Sequence, residues 1–122
     1  MSVEVVRLGK RVFATLAKCK NMIDDADELA REAEKAAREA GATPVKTGSV
    51  YHKFFPHGLT AVVVLEESHA VIETWPEYHG ATVNIFTCGE KAVPEKIVEI
   101  LAEVFKAEVV EKKPAEDVWL RL

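Results

Sequence analysis

The sequence predicts an α+β fold: a two-layer α/β sandwich, mostly antiparallel sheet with two helices on one face. Three observations carry this. Two segments, one following Asp25 and one opened by Pro94, repeat apolar residues at helical spacing. Six others read as extended segments, several rich in β-branched residues and alternating in polarity. Together they run in the order β-α-β-β-β-β-α-β, and the sheet face away from the helices is expected to be partly apolar and to pack on a second copy.

The first strand spans Val3 to Leu16, with Val12, Ala14 and Leu16 sharing a face and Gly9 marking a bulge or a close backbone approach. Asp25 is placed to cap the first helix, with Glu28 completing a capping box. Its stripe is Leu29, Ala33, Ala36, Ala37 and Ala40, small enough to lie close on a sheet, and Gly41 stops it. Glu34 and Arg38 make an i,i+4 pair on a solvated face. Thr43 to Phe55 is extended, and Pro56 to Gly58 turns the chain. "LTAVVVLE" is a strand, Glu66 to His69 a turn, and "AVIETW" the returning strand, ended by Pro76. "ATVNIFTC" follows Gly80, and Gly89 breaks it. Pro94 opens the second helix at its favoured first position, with Ile97, Leu101, Val104 and Phe105 as the core stripe. "AEVVEKK" is a last short strand, and the tail from Pro114 carries no clear pattern.

With 122 residues the chain is expected to form a single domain over 1–122 and to bury a core without staples. Charged residues are 30% and apolar residues 48%, a globular composition rather than a disordered one. The net charge of −4, with basic residues scattered among acidic ones, argues against nucleic-acid and membrane-surface partners. No apolar run approaches a membrane span, and Glu4, Arg7, Lys10 and Arg11 interrupt any signal-like block, so the expected location is cytoplasmic. Cys19 and Cys88 are too few for a disulfide scaffold and lack a zinc spacing; no metal site is expected, and each cysteine reads first as a small buried hydrophobe.

Candidate nucleophiles are Ser68 and Cys88, and candidate bases are His52, His57, His69, His79, Glu66, Glu67, Glu73 and Glu77. Ser68 and His69 are adjacent, which is not a triad, because neighbours on a chain often point apart and a base must reach its nucleophile in space. Decoration of a hairpin tip is the plain alternative for the pair.

The blocks "EESHAVIETWPEY" and "ATVNIFTCGE", with "LGKRVFATLAKC" and "GATPVKTGSVYHKFFPHGLTAVVV" before them, resemble the prokaryotic S-adenosylmethionine decarboxylase proenzyme family, which is pyruvoyl-dependent. The resemblance runs from about Leu8 to the second helix. It implies self-cleavage between Glu67 and Ser68. The Ser68 hydroxyl attacks the preceding carbonyl, and elimination and hydrolysis leave a pyruvoyl group derived from Ser68, the only cofactor implied. That group forms a Schiff base with the substrate and acts as an electron sink while carbon dioxide leaves. A strained, exposed hairpin tip suits such a bond. The resemblance further assigns Cys88 as the proton donor after decarboxylation, Phe54 as the aromatic stacked on adenine, and Glu77 as the carboxylate on the ribose hydroxyls. Core packing is the plain alternative for Phe54, and a solvated turn acid for Glu77. The small-molecule substrate implied is S-adenosylmethionine, for spermidine (polyamine) synthesis, in a homodimer with sites near the subunit contact.

Two positions depart from the family. Thr60 stands where serine is usual and keeps the hydroxyl that assists processing. Glu73 stands where the family has the histidine that serves as base in self-processing. A carboxylate, with an ordinary pKa of about 4.3, is a weaker base than imidazole. Three readings therefore stand side by side: a working S-adenosylmethionine decarboxylase; a relative acting on arginine or ornithine; and an unprocessed homologue with a binding or partner-activating role.

Overall fold

The computed structural model describes residues 4–122. Val3, placed in the first strand by the sequence, lies outside the described residues. Chain order is β1 (Val5–Cys19), α1 (Ala26–Glu39), β2 (Pro44–Lys53), β3 (Leu59–Leu65), β4 (Ser68–Trp75), a 3₁₀ turn (Pro76–Tyr78), β5 (Gly80–Thr87), α2 (Pro94–Val104), β6 (Ala107–Lys112) and β7 (Glu116–Arg121). The strands form one seven-stranded sheet in the order β2-β3-β4-β5-β1-β6, with β7 also on β1. Every pairing is antiparallel. Both helices pack on one face, so the predicted two-layer α+β sandwich is the observed one.

Alternation explains the core. In β3, Leu59, Ala61, Val63 and Leu65 are buried, and in β4 Ala70, Ile72 and Thr74. These meet the alanine stripe of α1 and Ile97, Val98, Leu101 and Phe105 of the α2 region. Alanine at 33, 36 and 37 lets α1 sit close to the strands. Asp25 caps α1 as expected, but its carboxylate accepts from Asp27 N–H at 3.0 Å, and no reciprocal bond from Glu28 forms among the described residues. The Glu34–Arg38 pair is present at 3.6 Å and, being exposed, contributes little.

The opposite face of the sheet carries the other half of each alternation. Val62, Val71 and Phe86 are half-buried there, and Phe13, Val50 and Val64 are exposed. No helix covers it.

Three details correct the sequence reading. The tail from Pro114 holds a seventh strand, β7, paired along the first half of β1. The β3–β4 turn is only Glu66–Glu67: Leu65 pairs with Ser68, so the returning strand begins two residues earlier than the polar run suggests. Cys88 is exposed, while Cys19 is buried. Burial pushes the Cys19 thiol up from its ordinary value and leaves it inert.

Gly9 fulfils both of its expected roles. The β1–β7 register shifts between Arg7 and Gly9, and an added Cβ would drive into the carbonyl oxygen of Thr87. Gly9→Ala should therefore lower stability by about 1–3 kcal/mol, read as a reduced urea midpoint at unchanged m-value.

Candidate active site

All but one of the residues singled out in the sequence fall into two groups at opposite ends of β4. The first is the hairpin tip. Thr43, just before β2, clamps it twice: its carbonyl accepts from Glu66 N–H at 2.8 Å, and its N–H donates to Glu67 Oε1 at 2.8 Å. The Glu67 carbonyl, the group preceding Ser68, accepts from Cys88 N–H at 2.7 Å. Ser68 has φ 144°, a conformation that side-chain-bearing residues rarely adopt. Holding it there costs about 1–3 kcal/mol, supplied by the surrounding ladder. Strand alternation would send Ser68 and His69 to opposite faces. With Ser68 so turned, its Oγ lies 3.2 Å from His69 Nδ1, so the neighbours meet after all. The His69 ring stacks on Phe86 at 6.0 Å between centroids. Cys88 sits one residue past Thr87, the β5 partner of Ser68.

The second group lies where β3 begins and β4 ends. Phe54, His57, Thr60, Glu73, Trp75 and Glu77, with Gly58, Leu59 and Thr74, line a cleft of about 260 Å³. Thr60 and Glu73 are register partners on adjacent strands, and Glu73 pairs onward with Thr82. Thr60 in turn faces His52 on β2, so a polar row crosses the partly apolar open face. Glu73 is half-buried in that row. Phe54 is about half exposed, and its ring meets His52 edge to face at 4.6 Å. The core-packing reading of Phe54 thus fails. Glu77, in the 3₁₀ turn, lies 3.3 Å from His57 Nε2. The Leu59 N–H is satisfied by Thr74 Oγ1 at 2.9 Å, which ties the turn to β4.

The two groups do not meet within one chain. Glu73 is five positions along an extended strand from Ser68, about 17 Å at the usual rise. Glu66 is exposed at the tip, and its N–H serves the Thr43 clamp. His79 belongs to neither group: it closes the 3₁₀ turn at φ 51°, and its carbonyl accepts from Cys19 N–H. Sequence reasoning missed Thr43, whose part is played by backbone atoms, and the His57–Glu77 contact, which joins two turns that no linear pattern links. Among the described residues no group of three or more His, Cys, Asp or Glu is placed to hold a metal ion, and no helix is long and apolar enough to cross a membrane. Another depression of similar size, lined by Arg11, Phe13, Asn84 and Lys113, holds none of the candidate residues.

Fold and site define a class: a two-layer α+β domain whose hairpin tip presents a Glu-Ser bond and whose far strand end presents a carboxylate-lined cleft. A family model described as S-adenosylmethionine decarboxylase matches residues 10–116. The S-adenosylmethionine decarboxylase proenzyme of Fervidobacterium nodosum is 42% identical over 102 residues, covering 83% of this chain and 73% of the relative. That of Archaeoglobus fulgidus is 39% identical over 102 residues, covering 83% and 89%. The crystal structure of the adenosylmethionine decarboxylase from Aquifex aeolicus superposes with a TM-score of 0.76 at 30% identity, covering 91% of this chain and 90% of that one. The chain belongs to the S-adenosylmethionine decarboxylase family.

Proposed function

We propose that the protein is a self-processing, pyruvoyl-dependent decarboxylase of S-adenosylmethionine, serving spermidine synthesis, and that it cuts itself between Glu67 and Ser68. The observation that carries this is the tip: a carbonyl already held by a backbone donor, next to a strained serine whose hydroxyl touches an imidazole nitrogen.

Ser68 Oγ adds to the Glu67 carbonyl carbon while His69 Nδ1 takes the hydroxyl proton. Charge develops on the carbonyl oxygen, where Cys88 N–H donates; one such donor is worth about 2.7–4 kcal/mol in a transition state. The C–N bond breaks, the amine leaves with a proton, and Glu67 becomes an ester of the Ser68 oxygen. Relief of the Ser68 backbone favours this direction. A base then removes the Ser68 Cα proton, and the Glu67 carboxylate departs. The remaining enamine tautomerises, water adds and ammonia is lost, leaving a pyruvoyl group in place of Ser68. That group supplies the carbonyl that condenses with the substrate amine and draws electrons as carbon dioxide leaves. The exposed Cys88 thiol would then give a proton to the carbon that lost the carboxylate. Phe54 offers its ring to the adenine, Glu77 accepts from the ribose hydroxyls, and Thr60 and Glu73 serve processing.

The separation of the two groups supports a homodimer. No rotamer of Glu73 spans about 17 Å to Ser68 of the same chain. Two copies packed open face to open face about a two-fold axis would set each tip against the partner's cleft. The apolar positions on that face, Phe13, Val62, Val64, Val71 and Phe86 among them, give such packing its driving force.

Intact mass spectrometry of purified protein tests the reading. Two pieces are expected, covering 1–67 and 68–122, the second lighter by one ammonia than simple hydrolysis would leave it. A single full-length mass under all conditions would remove self-processing and leave the unprocessed homologue.

A further inference from the structure

Glu77 has a partner that the resemblance does not assign. His57 sits in the turn between β2 and β3, and its Nε2 lies 3.3 Å from Glu77 Oε2 across the cleft. Both side chains are exposed, so packing holds neither in place. The backbone beneath His57 is fixed, however. Phe54 N–H donates to the Gly58 carbonyl at 2.8 Å, closing the turn. Gly58 itself has φ 108°, and a Cβ there would lie 3.3 Å from the Thr74 carbonyl oxygen, so the turn is pressed against β4. A fixed turn thus aims an imidazole at a carboxylate that the 3₁₀ turn alone would leave free to rotate.

A ribose diol offers two hydroxyl donors side by side. A carboxylate accepts both only when its plane is turned toward them, and a long exposed side chain loses rotamer entropy in taking that pose. One imidazole N–H on Oε2 fixes the carboxylate plane and leaves Oε1 and the remaining lone pairs for the ligand. We infer that His57 is a positioning residue of the cleft, holding Glu77 oriented to accept from the 2′,3′-diol of a nucleoside. The inference rests on the proposed reading of this cleft as the nucleoside half of the site.

The test is calorimetric titration of purified protein with adenosine and with 2′,3′-dideoxyadenosine, which differ only in the diol. Wild type should prefer adenosine. His57→Ala should weaken adenosine by about five- to tenfold, the scale of one lost orienting hydrogen bond, and leave the dideoxy compound unchanged. His57→Gln, which keeps a donor, should restore most of the preference. The double variant His57→Ala/Glu77→Gln should bind adenosine no more weakly than Glu77→Gln alone. Equal weakening of both ligands by His57→Ala would show a packing effect and overturn the inference, as would no weakening of either. If wild type binds adenosine without any diol preference, His57 has no orienting role. If wild type binds neither compound, the nucleoside reading of the cleft fails first and the inference falls with it.

Discussion

Ser68→Ala should yield a chain that stays whole at 122 residues and releases no carbon dioxide from S-adenosylmethionine, while the wild-type chain splits at the tip. The nucleophile is the only part removed. Among the described residues the Ser68 hydroxyl hydrogen-bonds with His69 Nδ1 alone, and the ladder pairs with Leu65 and Thr87 are made by backbone atoms. Alanine meets the same penalty as serine at φ 144°, so the variant should fold with stability within about 0.5 kcal/mol of wild type. A matched variant separates cleavage from decarboxylation. Cys88 contributes two different groups: a backbone N–H on the Glu67 carbonyl and an exposed thiol. Cys88→Ala keeps the N–H and loses the thiol. It should cleave at close to the wild-type rate yet decarboxylate about 10²- to 10⁴-fold more slowly, the usual worth of a placed proton donor. Gel bands over time and released carbon dioxide give the two readings. Cleavage lost together with decarboxylation in Cys88→Ala would put the thiol in the processing step instead.

Much of this architecture is written in local pattern. The helix stripes, the alternation of β3, β4 and β5 and the stops at Gly41 and Pro76 each need only a few neighbouring residues to be read. What was not legible depends on distant contacts. The polar run Glu66–His69 looks like a four-residue loop until Thr43 clamps the first two residues from more than twenty positions away. Strand β7 has no buried face, since its residues are exposed apart from a half-buried Val118. It is a strand because β6 covers its edge of β1 only from Ala14 to Cys19 and leaves the earlier part of that edge for it, not because its own residues alternate. Cys88 reads by residue type as a small buried hydrophobe, but β5 buries Ala81, Val83, Ile85 and Thr87 and then stops, which leaves Cys88 outside the core. The candidate site shows the same limit. Ser68, Glu73 and Glu77 read as one compact motif on paper, whereas an extended strand spreads them over two ends of the sheet.

That spread has a consequence that point variants of one chain cannot show, and mixing experiments can. Glu73→Gln keeps the size of the side chain and removes the base. If Glu73 takes the Ser68 Cα proton, this variant should still form the ester but stall there, with elimination slower by about 10²–10⁴-fold. Hydroxylamine would then split the accumulated ester, while the untreated chain stays whole on a denaturing gel. Mixed with Ser68→Ala, however, the stalled variant should recover. In a two-fold dimer each complete site takes its tip from one copy and its cleft from the other. A mixed dimer therefore holds one site with an intact Ser68 and an intact Glu73, and one site lacking both. Random exchange of equal amounts gives heterodimers half the time, so about one quarter of the wild-type number of sites should become active. Only the Glu73→Gln chain should be cut, since only it carries the serine; a distinguishing tag on each variant makes this visible. Two further results are decisive. Cleavage of Glu73→Gln alone at the wild-type rate would return the base to His69, which already touches the Ser68 hydroxyl. Stalling without recovery on mixing, in samples shown to exchange subunits, would mean that each copy completes its own site, which the extended β4 does not permit without rearrangement. Recovery near one quarter would place the carboxylate of one copy at the scissile serine of the other, and would make Glu73 a working substitute for the histidine that the resemblance leads one to expect.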